Sequence, residues 1–469
     1  MSSTPDTHID ETTRRTALIA ATASSFLSPF MVSATNIALP AIASEFRMNA
    51  VVLTCVPMAY ILSGAIFLLP LGRIADIYGR KRLFAWGAGI FAASSILCGL
   101  ANSGEMLIIF RAFQGIGGAM VFGIGVAILI SVFPASSRGK VLGLTIGAVY
   151  VGLSVGPLLG GFMTEQLGWR SIFLFIGLVA SIVTVSVLWK LKGEWAEARG
   201  EPFDTIGAAV YCLGVAAVMY GFYLLPGKEG ILTLLLGIAA LCLFLKWEIR
   251  VEFPVLDWRL FRHNRVFLLS NLAMVINYGA TYAIGFLISL YLQYTRHLSP
   301  QNAGLILMAQ PVVQALFSPY AGKLSDRVEP QVVASCGMGL TVIGLAIFVF
   351  LGAGTPLWFV AVILALHGLG FALFSSPNTN AVMGSVETRF YGVASGIAST
   401  MRLMGNSFSI GTVTLVFSLY VGQVRITPER YPAFLMSVQV IFAVFALLCF
   451  VGVFASLARG RMREKARVG

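Results

Sequence analysis

Fourteen apolar runs, each about long enough to cross a bilayer as a helix, dominate this chain of 469 residues. They fall near 16–42, 51–71, 83–100, 106–132, 141–163, 170–190, 205–225, 231–248, 265–292, 302–321, 331–352, 357–383, 391–420 and 433–457. Hydrocarbon offers no water to a peptide group, so runs of this length cross as helices. The expectation is an all-α polytopic membrane protein. Composition agrees: 11% of residues are charged, where a soluble domain carries about 25%. An even number of spans puts both chain ends on one side. Of the 32 Lys and Arg, 24 lie in segments on that side, six lie opposite, and two lie within spans. Arg14 and Arg15 at one end, and Arg459, Arg461, Arg463, Lys465 and Arg467 at the other, mark that side as cytoplasmic. The net charge of +12 therefore reads as positive-inside bias and attraction to lipid headgroups, not as a nucleic-acid footprint.

Between the second and third runs lies Gly72-Arg73-Ile74-Ala75-Asp76-Ile77-Tyr78-Gly79-Arg80-Lys81-Arg82. Gly72 and Gly79 allow a sharp turn or close backbone approach. Asp76 suits the positive end of a neighbouring helix, and Arg80 suits a carboxylate. Such a loop can latch two helix bundles on one face. Gly322-Lys323-Leu324-Ser325-Asp326-Arg327 repeats the Gly-x-x-x-Asp spacing 250 residues later, again just after an apolar run. Two related halves are the internal-repeat pattern of secondary transporters. The copies follow runs two and ten, so runs seven and eight are an inserted pair. The chain divides into a tail (1–15), a six-helix bundle (16–190), a linker carrying helices seven and eight (191–264), a second six-helix bundle (265–457) and a basic tail (458–469). In run five, Gly152, Gly156 and Gly160 share a helix face that permits close packing. Pro157 adds a kink. That face is either a packing groove or a bend that works the outer gate.

The first loop resembles the cytoplasmic motif of the major facilitator superfamily, with Ile74 and Ile77 as departures. Gly152 to Gly161 is similar to the span-five signature of that family's exporters, and Arg111-Ala112-Phe113-Gln114-Gly115-Ile116-Gly117 to its span-four motif. Fourteen spans as six, two and six resemble the drug:proton antiporter branch. The resemblance implies a monomeric secondary transporter of the cytoplasmic membrane. It would export amphipathic, drug-like molecules by rocking two bundles about a midplane site, with proton coupling and no cofactor. It also implies a proton-coupling role for Arg111 and Gln114. Arg111 has the alternative of bracing span one through backbone carbonyls or Asn36. Arg402 resembles the arginine of the branch's penultimate helix and is on that ground a further proton-coupling candidate, its alternative being a snorkelling or bracing residue. Met31 stands where the family often carries an Asp.

No acidic residue falls in the middle of a run, so the interior is net positive. That opens a second reading: an anionic amphiphile or lipid carrier using Arg111 and Arg402, not tied to protons. His367 is the one mid-span histidine and titrates in a range suited to proton exchange; the alternative is a neutral, helix-bonded side chain. Asn36, Tyr60, Asn277, Tyr278, Gln310, Gln314, Asn378 and Asn406 are candidates for lining a substrate cavity, or else interhelical bonds of about 1 kcal/mol each. Six cysteines, none at metal-ligand spacing, read as buried apolar residues. No Walker loop, Ser/His/Asp set or dinucleotide fingerprint is present, which excludes the common soluble enzyme classes.

Overall fold

The structure of the protein is a computed structural model that describes residues 10–256, 260–262, 264–387 and 391–460. Fourteen helices are long and apolar enough to cross a membrane. In order, spans one to six are Glu11–Glu45, Ala50–Tyr78, Arg80–Gly99, Gly104–Val132, Ser137–Gln166 and Arg170–Lys190. Spans seven and eight are Thr205–Leu224 and Lys228–Glu248. Spans nine to fourteen are Arg265–Thr295, Pro300–Arg327, Pro330–Phe348, Leu357–Gly384, Val393–Tyr420 and Pro428–Leu457.

Two boundaries differ from expectation. Span one starts inside the anticipated tail because Asp10 accepts a hydrogen bond from the Thr13 amide at 2.6 Å and caps the helix. The loop expected over 72–82 shrinks to Gly79, with helix up to Tyr78 and from Arg80 onward. Arg461, Arg463, Lys465 and Arg467 lie outside the described residues. Two cysteines depart from the expected burial: Cys242 and Cys336 are exposed on helix surfaces, where an apolar thiol can face lipid at little cost.

The repeat is visible in how the helices pair. In the first bundle span one packs on four, five and six, span two on four, and span three on four and six. In the second bundle nine packs on twelve, thirteen and fourteen, ten on twelve, and eleven on twelve and fourteen. Every pairing recurs with its numbers raised by eight, as two copies of one bundle require. Between bundles, span two meets thirteen and span five meets ten. Span seven leans on both two and thirteen: Tyr211 donates to the Ala65 carbonyl at 2.9 Å, and the Phe222 ring meets Phe408 edge-on at 5.5 Å.

The bonds that join the bundles cluster in the half far from the chain ends. Thr54 and Thr414 share a hydroxyl hydrogen bond of 2.7 Å, Ser289 donates to the Asn36 carbonyl, and Gln293 donates to that of Ile37. The Ala50 amide donates to the Val424 carbonyl at 2.9 Å. A β-carbon on Gly161 would sit 2.5 Å from the Pro300 carbonyl oxygen, so only glycine lets spans five and ten touch there. In the near half, Leu144 and Ile146 of span five and Leu316, Phe317 and Tyr320 of span ten are exposed. Space opened beside Gly139, Gly143 and Gly147 is empty for 4 Å around. Spans five and ten are thus sealed at the far face, while the near half of span five is uncovered beside its glycines; on the opposite flank the near halves of spans two and thirteen stay packed, Ala65 and Leu69 against Ile397 and Met401.

Replacing Thr54 and Thr414 with cysteines, in a background free of the native six, should give a pair that oxidises readily and holds the far half shut. Transport by the crosslinked protein at the uncrosslinked rate would show that these spans do not separate.

Candidate functional site

Arg111 is 1% exposed, deep in the first bundle. Its Nε donates to the Val56 carbonyl of span two at 3.2 Å, and its Nη1 donates to Gln114 Oε1 at 2.6 Å. Gln114 passes the chain on to Ser95. The guanidinium lies 4.6 Å from the Tyr60 ring centroid, and the Met31 sulfur is 2.9 Å from Nη1. A buried cation is costly unless hydrogen-bonded. Here a carbonyl, an amide and an aromatic face do the work, and no carboxylate pairs with it among the described residues. The brace expected toward span one is made through the Met31 sulfur and not through Asn36, and the backbone carbonyl it takes belongs to span two. Tyr60 in turn shares a 2.7 Å bond with Ser28. Ser28 and Phe122 line a small cavity of about 20 Å³, room for one water.

Phe122 also carries Arg402. The arginine reaches from span thirteen across the gap between bundles and rests its guanidinium on that ring, 4.9 Å from the centroid. A side chain aimed across the midline in this way does not snorkel to the interface. Tyr150 of span five lies beside it, next to Gln314 and Ser318 of span ten. Tyr278 of span nine meets Phe371 edge-on at 5.1 Å and touches Gly405 of span thirteen. Asn406 is one turn from Arg402 and 8% exposed. Arg402, Tyr278, Gln314 and Asn406 thus gather near the centre. Phe122 and Tyr150 join them and were not anticipated, since aromatic residues in an apolar run carry no distinguishing mark.

The other candidates are placed elsewhere. His367 of span twelve is 1% exposed inside the second bundle, turned to span eleven. Its Nδ1 bonds the Ile363 carbonyl one turn back at 2.9 Å, and its ring stacks on Phe348 at 5.3 Å. The space beside Gly344 is filled by that ring. Asn277 is fully buried beside Cys449. The backbone of Gln310 presses on Gly368. Asn36 serves the far-half seal through its carbonyl. Asn378 donates to the Ser270 carbonyl and accepts from Arg459 at 2.7 Å. Arg459, read from sequence as a tail cation, is 2% exposed and also reaches Ser270, Ser456 and the Pro330 carbonyl. Burial pulls its pKa down to about 10, which leaves it charged at neutral pH.

The first loop motif holds a charge cluster. Arg80 pairs with Asp76 at 2.8 Å and forks onto both oxygens of Glu197, at 2.6 and 2.9 Å, while also donating to Ser131. Arg73 pairs with Glu201. The Glu194 carboxylate accepts from the amides of Lys81 and Arg82, capping span three. Gly79 has φ +121° and its missing side chain makes room for Glu194. The linker after span six therefore clasps this loop. Gly72, expected to permit close approach, is not a contact point: a β-carbon added there would meet nothing within 4 Å. In the second copy, Gly322 faces the Ser376 hydroxyl of span twelve, and Asp326 ends span ten on the same face. In span five, Gly152, Gly156 and Gly160 lie against Phe26, Ser33 and Ala34 of span one, and Pro157 against Gly304 of span ten. The groove and the far-face contact are therefore one structure. Among the described residues no group of His, Cys, Asp and Glu is placed to hold a metal ion.

A sequence model of the Major Facilitator Superfamily matches residues 21–408 and 271–468. The riboflavin transporter RibZ of Clostridioides difficile is 30% identical, over 94% of this chain and 96% of its own. The multidrug resistance protein Stp of Mycobacterium tuberculosis is 29% identical, over 82% and 72%. The methylenomycin A resistance protein of Streptomyces coelicolor is 28% identical, over 82% of each. Among solved structures, a bacterial homologue of the human lysosomal transporter Spinster superposes with a TM-score of 0.69 at 16% identity, covering 96% of this chain and 97% of that one.

Arg459→Met should strand the buried oxygens of Asn378 and Ser270 at a cost of about 2 kcal/mol. A lowered thermal unfolding midpoint in detergent, with Arg82→Met (77% exposed side chain) as the neutral comparison, is the expected result.

Proposed function

The chain belongs to the Major Facilitator Superfamily, and on that premise we propose that it is a secondary active exporter of amphipathic small molecules in the cytoplasmic membrane. The observation that carries this reading is the seal of spans five and ten at the far face, where Gly161 meets Pro300 and Gly304 meets Pro157, together with the uncovered glycines 139, 143 and 147 of span five at the near face. A rocking motion of the two bundles exchanges which face is open. With the chain ends in the cytoplasm, as the basic bias of that side supports, this is the state that loads cargo from inside. The loops at Asp76 and Arg80 and at Asp326 then close the near face in the opposite state. One chain suffices for the cycle, with lipid around it and no cofactor.

Export rather than uptake is supported by the glycine ridge of span five and by relatives named for multidrug and methylenomycin A resistance. Arg402, Tyr278, Gln314 and Asn406 are assigned to cargo, with Phe122 and Tyr150. Asn36 and Asn378 join helices through their hydrogen bonds, and Asn277 and Gln310 lie away from Arg402 in the second bundle. Proton coupling, where it operates, runs through Arg111 and Gln114, since His367 is walled off by Phe348 and Gly344.

Proteoliposomes with an imposed pH gradient test this, using a cationic dye and an anionic amphiphile as cargo. Gly156→Leu should cut flux more than tenfold, because the new side chain forces span five off Ser33 and Phe30. His367→Gln should keep at least about half the wild-type flux and the same gradient response. Undiminished flux in Gly156→Leu would remove span five from the mechanism.

A further inference from the structure

The two mid-span arginines have no acid partner among the described residues, and one of them is unspent. Arg111 is engaged on all sides by Val56, Gln114 and Tyr60. Arg402 is different. One face of its guanidinium lies on Phe122, and no hydrogen bond or ion pair occupies its N–H edge among the described residues. A guanidinium backed by an aromatic ring keeps its donors in one plane, the geometry that takes a carboxylate, sulfonate or phosphate by two parallel bonds. Phe122 of span four and Tyr150 of span five supply flat aromatic surface beside it. A cationic cargo would meet Arg402 in the same space with no carboxylate to offset it.

We propose, on the basis of the export reading above, that the cargo is an amphipathic aromatic anion whose acid group pairs with Arg402 while its rings lie against Phe122 and Tyr150, and that it leaves on its own charge. The loaded site is neutral and the empty site carries one positive charge. Each cycle therefore moves one negative charge outward, a direction that an inside-negative membrane potential favours. A carrier driven in this way needs no titratable carboxylate at its centre, which accounts for Met31 beside Arg111 and for a histidine set away from the cavity.

The test uses anilinonaphthalene sulfonate, its uncharged parent phenylnaphthylamine, and ethidium. Binding is read by fluorescence with the full-length protein in detergent, for wild type, Arg402→Gln and Arg402→Lys. The sulfonate should bind at least tenfold more weakly to Arg402→Gln, with Arg402→Lys between, while phenylnaphthylamine binding changes less than twofold. Arg402→Lys guards against a merely misfolded variant. Flux is read in proteoliposomes under a valinomycin–potassium potential at equal pH on both sides. Sulfonate flux should rise with the potential and persist without a pH gradient. Equal sulfonate binding by wild type and Arg402→Gln overturns the proposal, as does flux that follows a pH gradient and ignores the potential. Ethidium export without sulfonate binding or flux also overturns it, and leaves the export reading standing. No flux of any probe under either gradient is a failure of the export reading, and the binding comparison still decides the Arg402 site.

Discussion

Helices in a bilayer gain little by exchanging lipid for one another's apolar side chains, so their association rests on close contact, and close contact rests on small residues. Span five bears the consequence. One glycine ridge presses it onto span one of its own bundle, and Pro157 with Gly161 presses it onto span ten of the other. The same rod is thereby fixed to one body and braced on a second. Tyr150 marks the level where that bracing ends; inward of it, Gly139, Gly143 and Gly147 continue with no neighbour. The sealed far half and the uncovered near-half glycines are two ends of one helix whose packing changes along its length.

Charge is handled in a different manner at each depth. At the near surface, Asp76, Glu197 and Glu201 answer Arg80 and Arg73. Within the spans, arginine is answered by neutral groups: carbonyl, amide and ring at Arg111, a ring alone at Arg402. Water is available to share the surface cluster, and a surface pair adds little stability on its own. Glu194, Glu197 and Glu201 together, bonded to Arg73 at the end of span two and to Arg80–Arg82 at the start of span three, nonetheless fix where the linker runs, which a single pair would not do.

Span number, repeat and inserted pair were legible because they depend on run length and on local spacing, such as Gly72 to Asp76 and Gly322 to Asp326. The site was legible only in part. His367 and Arg402 both read as lone polar residues in apolar runs, and nothing in the local pattern says that one turns to Phe348 and the other to Phe122. Arg459 sits among tail cations, yet the turn after span fourteen carries it back between spans nine, eleven and twelve. Glu194 and Glu197 look like ordinary loop charges, since their partners lie more than a hundred residues away. Helical periodicity tells which residues share a face; it does not tell which neighbour that face meets.

The inserted pair gives the molecule a handedness that a bare two-bundle carrier lacks. Span seven lies along the seam between spans two and thirteen, tied by Tyr211 and Phe222, while the seam between spans five and ten has no such cover among the described residues. One flank is shuttered and the other is a doorway. On the export reading proposed above, a molecule dissolved in the near leaflet would come toward Arg402 from the uncovered flank, beside the exposed Leu316 and Phe317.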